Sequence, residues 1–547
     1  MKFINKLVVI AFLMLFTVQC DLIDSDSLDN PNALAPEQVD PDFLLNNIQM
    51  QARSVHRSAA QFGAEMTRMR YMFGDTYGNA YVPQSFNTFY TNAYASVLID
   101  IKNLLEITPE EELHFHTGMA KILQAYTIIM LVDNFGDVPF EQALVGSEIF
   151  NPEVDSGESI YNAAIQLLDE AKGDLVREGR LSMPANDLYF PGLSTANKVE
   201  RWTRVANTIK LKAYLNTGNV GAINDLIAED MLITEAAHNF TFDYSTNRTN
   251  PDSRHPSFTN NYVDLANDYM AVNYMNMMVN DKFDDIGRDP RMRYYFYRQS
   301  TSDADDINDN TCLGSSRPGH LQPADPFCLI ENGEGYWGRD HLIDDGIPPD
   351  RGLRTTFGVY PAGGQYDLSI GASTAESMGY EGAGFDPILM SSFTHFMLAE
   401  AQVLGATGDA RASFETGVRH SFNAVANFGS AQAAGNTGEI TAEVIDDYVA
   451  IVLERWDDAG YSNLRNIAKE YYFALWPNGY EAYNLMRRTG FPNRIDNLQP
   501  ARTSSPGSWY NSLLYPADLV DRNSNVSQKE RTEKVFWNQG TDFNFGF

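Results

Sequence analysis

Apolar residues recur at helical spacing through most of the chain, and the longest such run sets the expected core. From Leu113 to Phe140 the sequence reads LHFHTGMAKILQAYTIIMLVDNFGDVPF. Phe115, Met119, Ile122, Tyr126 and Ile129 fall three or four apart, on one face of a helix. Every position from Ile128 to Val132 is apolar, which predicts a helix end covered on all sides. Thr108, Pro109 and Glu111 read as its start: a capping hydroxyl, a proline whose missing N–H costs nothing there, and the acid of a capping box. The pattern predicts roughly 25 helical residues, about 38 Å long. Gly136 can take a left-handed C-terminal geometry, and Pro139 forbids continuation. Asp133 and Asp137 flank that turn and read as turn caps rather than catalytic acids.

Other segments follow the same period. Asp40-Pro41 opens a helix carrying Phe43, Leu44, Ile48, Ala52 and Val55. Asp155-Ser156-Gly157-Glu158 caps another, striped by Ile160, Ala164, Leu168, Ala171 and Leu175. A third spans Ala196 to Asn216, with Val199, Trp202, Val205, Ile209 and Ala213 as its apolar stripe. Lys198, Arg201, Arg204, Lys210 and Lys212 lie mostly off that stripe and read as a solvated face, whereas Trp202 reads as core. Met390 to Val425 predicts helix, turn and helix, with Ala399, Ala401 and Ala412 where the two would approach. That is one unit of a helical solenoid. Residues 281–385 lose the helical period, and Met292 to Tyr297 reads as a short strand.

The beginning of the chain changes the picture from fold to location. Lys2 and Lys6 precede an apolar core from Leu7 to Val18, shorter than the ~20 residues that span a bilayer. Cys20 follows and reads as the acceptor of a lipid anchor. The expected organisation is a signal segment over 1–19, an acidic tether over 20–38 and a single body over 39–547, with a loop-rich insert at about 281–385. The formal net charge of -32 repels phosphate backbones and argues against nucleic acid as a partner. Aromatic residues make up 12% of the chain, more than a disordered chain carries.

Candidate chemistry concentrates in the irregular stretches. YMFGDTYGNAYVPQSFNTFYTNAY, from Tyr71 to Tyr94, interleaves rings with small polar residues. That suits stacking on sugar rings by Tyr71, Tyr77 and Tyr81; the alternative is a satellite core beneath the loop. In Gly335-Tyr336-Trp337-Gly338-Arg339-Asp340-His341, Trp337 sits between glycines. Arg339 and Asp340 offer a forked donor and an acceptor for vicinal hydroxyls, or alternatively an ion pair fixing the loop. Cys312 and Cys328 read as a disulfide in an oxidising compartment, with a zinc site using His320 or His341 as the alternative. Asp303, Asp305, Asp306, Asp309 and Asn310 lack the glycine and terminal glutamate of an EF-hand loop, so they read as an exposed acidic loop and no metal is assigned. HExxH, GxSxG and CxxC do not occur. Carboxylates are numerous enough to leave a glycosidase pair open.

Five stretches carry a family resemblance: NFGDVPF after the long helix, NPEVDSGESIYNAAIQLLDEA, ANKVERWTRVANTIKLKAYLNTG, Pro387 to Phe422, and EYYFALWPNGYEAYNLMRRTGFPN from Glu470 to Asn493. Together, and in this order, they resemble the SusD/RagB-like outer-membrane lipoproteins of Bacteroidetes. The resemblance implies a mostly α fold, with four tetratricopeptide-like helix pairs as scaffold and a large irregular region packed on one side. It implies a non-enzymatic, cofactor-free capture protein, lipid-anchored at the cell surface in the outer membrane. Such a protein binds glycans and acts as a lid over a SusC-like TonB-dependent transporter. A peptide-binding member of the same family and an α-helical glycoside hydrolase are the alternatives.

Overall fold

A computed structural model describes residues 40–179, 184, 186–264, 268–280, 288–344 and 352–538. The expected signal segment, Cys20 and the acidic tether lie outside these residues.

Asp40 caps helix α1, Pro41–Met66, by accepting from Asp42 N at 2.9 Å. Helix α2, Ile99–Ile107, ends at Thr108, which corrects the expected start of the long helix. Thr108 N donates to Leu104 O at 3.0 Å and so closes the earlier helix. A turn follows, with Glu112 at φ 55°, and helix α3 begins only at His114 and runs to Phe135. Gly136 terminates it at φ 79°. α3 is apolar and long enough to cross a membrane, yet 78% of its most apolar window is buried, so it is the core helix of the fold.

Helix α4, Gly157–Leu175, is capped by Ser156, and helix α5, Thr195–Asn216, by Ser194. Helix α6, Val220–Glu229, follows directly. The solvated face expected on α5 is corrected. Lys198, Lys210 and Lys212 are buried, because α5 packs against α4, α6, α3 and a later helix and little of it stays open. Each ammonium finds an acceptor: Lys198 the Pro184 carbonyl at 2.7 Å, Lys210 Asp169 at 2.6 Å and Lys212 Glu481 at 2.7 Å. Trp202 is core, and its Nε1 donates to Asp187 at 2.8 Å.

Strand β1, Phe240–Asp243, precedes helix α7, Val272–Val279. The run from Met292 to Tyr297 splits: Met292–Tyr295 is a helical turn, and only Phe296–Tyr297 is strand, β2, paired with β3, Thr356–Phe357. Strand β4, Phe385–Leu389, lies antiparallel to β1, with Asp243 opposite Phe385. Five longer helices follow among the described residues, before a short last one at Ala517–Arg522: α8, Ser391–Val403; α9, Ala410–Ala433; α10, Ala442–Asp457; α11, Asn463–Ala474; and α12, Gly479–Thr489. The pairs α3–α4, α5–α6, α8–α9 and α11–α12 form the tetratricopeptide-like scaffold. α12 crosses α1 at glycine contact: a Cβ on Gly479 would stand 1.8 Å from Ala64 N.

The NFGDVPF turn is where these layers meet. Asp137 Oδ1 accepts from Gly157 N at 2.7 Å, so it caps α4 as expected of a turn acid. Asp133 is different and corrects the sequence reading. Its carboxylate is fully buried and accepts from Tyr161 Oη, from Tyr480 Oη at 2.6 Å, from Asn484 Nδ2 at 2.8 Å and from Trp537 Nε1 at 3.0 Å. Lys212 Nζ lies 3.4 Å away. One carboxylate therefore ties α3, α4, α5, α12 and the C-terminal segment together. A buried charge is tolerated on these terms, fully hydrogen-bonded and paired.

Candidate functional site

The two irregular excursions singled out in the sequence, 69–82 and 335–343, meet on one surface. Segment 335–343 is laid down first by the backbone. Arg339 N donates to Met270 O and Val272 N to Arg339 O, both at 3.0 Å. Gly338 lies against Met270, where a Cβ would be 2.0 Å from the carbonyl oxygen, so no side chain fits. From the other side, Leu342 N donates to Met72 O at 3.1 Å and Tyr71 Oη donates to Ile343 O. Behind the loop, Asp367 accepts from Tyr336 Oη and from Arg298 Nε, each at 2.6 Å.

This junction buries much of what was expected to be exposed. Trp337 is 1% and Tyr77 0% accessible, so neither ring has a face for a ligand, and both are corrected to supports of the junction. Tyr77 packs on His341 at 5.7 Å between centroids, accepts from Arg68 Nη2 at 3.0 Å, and burial pushes its hydroxyl pKa up. Tyr81 is half-buried, edge-on to Phe62, with its hydroxyl on Glu65. Asp340 is also internal: its Oδ2 accepts from Cys328 N and Arg502 Nη1, both at 3.2 Å, and burial raises its carboxyl above the usual range. Its ion pair is with Arg502, so the expected Arg339–Asp340 partnership is replaced. Gly335 and Gly338 do not leave Trp337 uncovered; they let the backbone pack closely on Ser300 and Met270.

Tyr71 stays half-buried at the junction, whereas Arg339, packed against it, is buried at 5% accessible, which corrects its reading as an exposed donor. The guanidinium lies 4.8 Å from the half-buried Tyr71 ring and 5.5 Å from Tyr269. Its Nη1 is buried with no hydrogen-bond partner among the described residues. It lines a hollow of about 10 Å³ with Asn310, Thr311 and the Cys312–Cys328 pair. Phe73, 6.4 Å from Tyr71 and edge-on to it, is 53% exposed. Sequence reasoning passed over Phe73, although it stands inside the aromatic stretch that drew attention. The junction thus presents a half-buried tyrosine and an exposed phenylalanine side by side, with the buried guanidinium packed against the tyrosine. Such a pair of rings can stack on a flat apolar face.

Cys312 and Cys328 are bonded, with Cα atoms 5.6 Å apart, which bears out the disulfide reading. The zinc alternative is corrected on its ligands: both sulfurs are committed to the disulfide, and His320 Nε2 is 2.9 Å from Ala501 O. Asp306 holds the acidic loop by accepting from Asn308 N at 2.8 Å. Closing a loop of 16 residues constrains the unfolded chain by about 3 kcal/mol. Reduction, or Cys312→Ser with Cys328→Ser, is expected to lower the unfolding free energy by about that amount in urea titrations. No change would mean that the loop is already ordered without its bridge.

Solved structures place this architecture. A SusD/RagB family protein from Bacteroides thetaiotaomicron is 16% identical, with a TM-score of 0.64 over 92% of this chain and 100% of its own. A chitin-binding SusD homologue from Flavobacterium johnsoniae is 16% identical, with a TM-score of 0.59 over 92% and 98%. A SusD homologue from Bacteroides fragilis is 17% identical, with a TM-score of 0.62 over 92% and 99%. At these identities the likeness establishes the fold alone. No curated protein matches the chain. Residues 31–316 match the family model described as "Starch-binding associating with outer membrane", and residues 376–534 the one described as "Susd and RagB outer membrane lipoprotein". The chain belongs to the SusD/RagB-like family of outer-membrane proteins.

Proposed function

We propose that the protein captures neutral glycan chains at the junction of 69–82 and 335–343 and hands them, unaltered, to a SusC-like TonB-dependent transporter. It works from the cell surface, tethered by a lipid on Cys20 and the acidic segment after it. The observation that carries this reading is the pairing of the half-buried Tyr71 with the exposed Phe73 where the two segments meet. The family description as starch-binding and the chitin-binding relative supply the ligand class.

The energetics suit capture followed by release. A sugar face hiding on the order of 80 Å² against a ring gains about 2 kcal/mol. Two such contacts, about 4 kcal/mol before the cost of association, give weak binding, about millimolar at best. The hollow beside Arg339 is too small for a ring, so the sugar lies across Tyr71 and Phe73.

Phe73→Ala removes an exposed ring without touching the core and is expected to weaken binding about tenfold. Affinity electrophoresis against a panel of neutral polysaccharides reads this directly. Equal retardation of wild type and variant on every retarding polysaccharide would remove the junction as the site. Release of reducing ends would replace capture with hydrolysis, and binding of peptides alone would change the ligand class.

A further inference from the structure

A second cleft lies away from the junction and shares no residue with it. Its walls are β1 and the start of β4 on one side and the outward face of α9 on the other, and its volume is about 730 Å³. That lies within the range of small-molecule sites. Phe385 and Phe428 form an edge-to-face pair at its apolar side, 5.0 Å between centroids and half-buried. Across from them, Asn423 and Asn427 stand one helical turn apart on α9, exposed, their side-chain amides without a partner among the described residues. Thr241 and Asp243 project from β1, and Thr241 Oγ1 donates to Asp243 at 3.3 Å.

The chemistry of the lining restricts the occupant. It contains no lysine or arginine, and Glu235 and Asp243 add negative charge. Phosphate, sulfate and uronic acids are therefore disfavoured. Two amides at i, i+4 spacing, about 6 Å apart, each present a donor and an acceptor. That alternation matches successive hydroxyls of a pyranose chain, and the Phe385–Phe428 pair matches its C–H face. We propose that this cleft is a second carbohydrate site, which holds a neutral oligosaccharide through Asn423 and Asn427 against Phe428 and Phe385. It shares its ligand class with the proposed function but none of its residues. A protein holding one chain at two places keeps it through successive weak releases, because the second contact is intramolecular.

Titration calorimetry of the purified protein with maltohexaose, cellohexaose and N-acetylchitohexaose tests the assignment. The expected result is two sites for at least one of the three. Asn423→Ala with Asn427→Ala removes two hydrogen bonds and weakens one site about tenfold. The melting temperature should hold, since both positions are exposed and alanine favours helix. Phe73→Ala weakens the other site and leaves this one. Affinity here should be the same at low and high salt, as for a neutral ligand. A single wild-type site abolished by Phe73→Ala would overturn the cleft and leave the junction standing. Unchanged titrations of the double asparagine variant, a strong salt dependence, or no heat from any of the three sugars would each overturn it too.

Discussion

Asp133→Ala is expected to lower the unfolding free energy by about 3–5 kcal/mol, the range for breaking a buried, hydrogen-bonded charge cluster. The loss comes from the groups left behind. Tyr161, Tyr480, Asn484 and Trp537 would keep buried donors with no acceptor, and Lys212 would keep only Glu481. Each orphaned donor costs about 1–3 kcal/mol before relaxation. Asp137→Ala, four residues on, removes one helix-capping contact and is expected to cost only about 1 kcal/mol. Urea unfolding of both variants gives the comparison. Near-equal effects would mean that Asp133 is no more than the turn acid its position in the sequence suggests.

Acid is expected to weaken the fold well before its surface carboxylates protonate. His56 sits on α1, buried, with Nδ1 2.9 Å from Tyr126 Oη and its ring near Tyr480. Burial holds its pKa down to about 4; Asp386 opposes the shift, and Lys212 and Arg57 reinforce it. The unfolded chain takes up a proton near 6.5, and the folded one only near 4. Stability from this residue is therefore complete above about pH 6.5 and is lost as pH falls through about 4, by about 3 kcal/mol. Burial shifts His255 and His341 in the same sense, whereas it raises Glu65 and Glu481, which act oppositely. His56→Gln isolates the term. The stability difference between wild type and variant should shrink by about 3 kcal/mol from pH 7.5 to 4. A difference that stays constant would show that His56 takes up its proton alike in the folded and unfolded chain.

The legible and illegible parts of this chain divide along a physical line. Periodicity and caps placed α1, α4, α5 and the α8–α9 pair, because each element's own residues fix where it begins and what it buries. Thr108 misled because a hydroxyl before a proline can close one helix as well as open the next; only the neighbouring α2 decides. The lysines of α5 misled because a stripe argument assumes one covered face, and α5 is covered by several elements. The site was legible at the level of segments. The two excursions chosen by their aromatic and glycine content do converge. Which side chains face outward was not legible, since Tyr77 is buried by partners hundreds of residues away, Tyr510 among them, and Trp337 lies in a loop held by Met270 and Thr355. Phe73 is exposed for the converse reason: its neighbours in space leave its ring uncovered.

The NFGDVPF stretch carries the family likeness, yet it contributes architecture rather than binding. Asn134 O accepts from Leu513 N at 2.7 Å, Tyr515 Oη donates to Asp137 O at 2.6 Å, and Tyr94 Oη donates to Pro139 O at 2.6 Å. A turn that satisfies this many distant donors fixes the scaffold on which the loops are displayed. An exposed ring such as Phe73 can change without disturbing that scaffold.

The most direct test of the account is a crystal structure of the protein soaked with a neutral oligosaccharide that it retards in affinity gels. The account predicts an intact sugar lying on Tyr71 and Phe73. An empty junction with sugar bound elsewhere, or a cleaved chain at the junction, would contradict it.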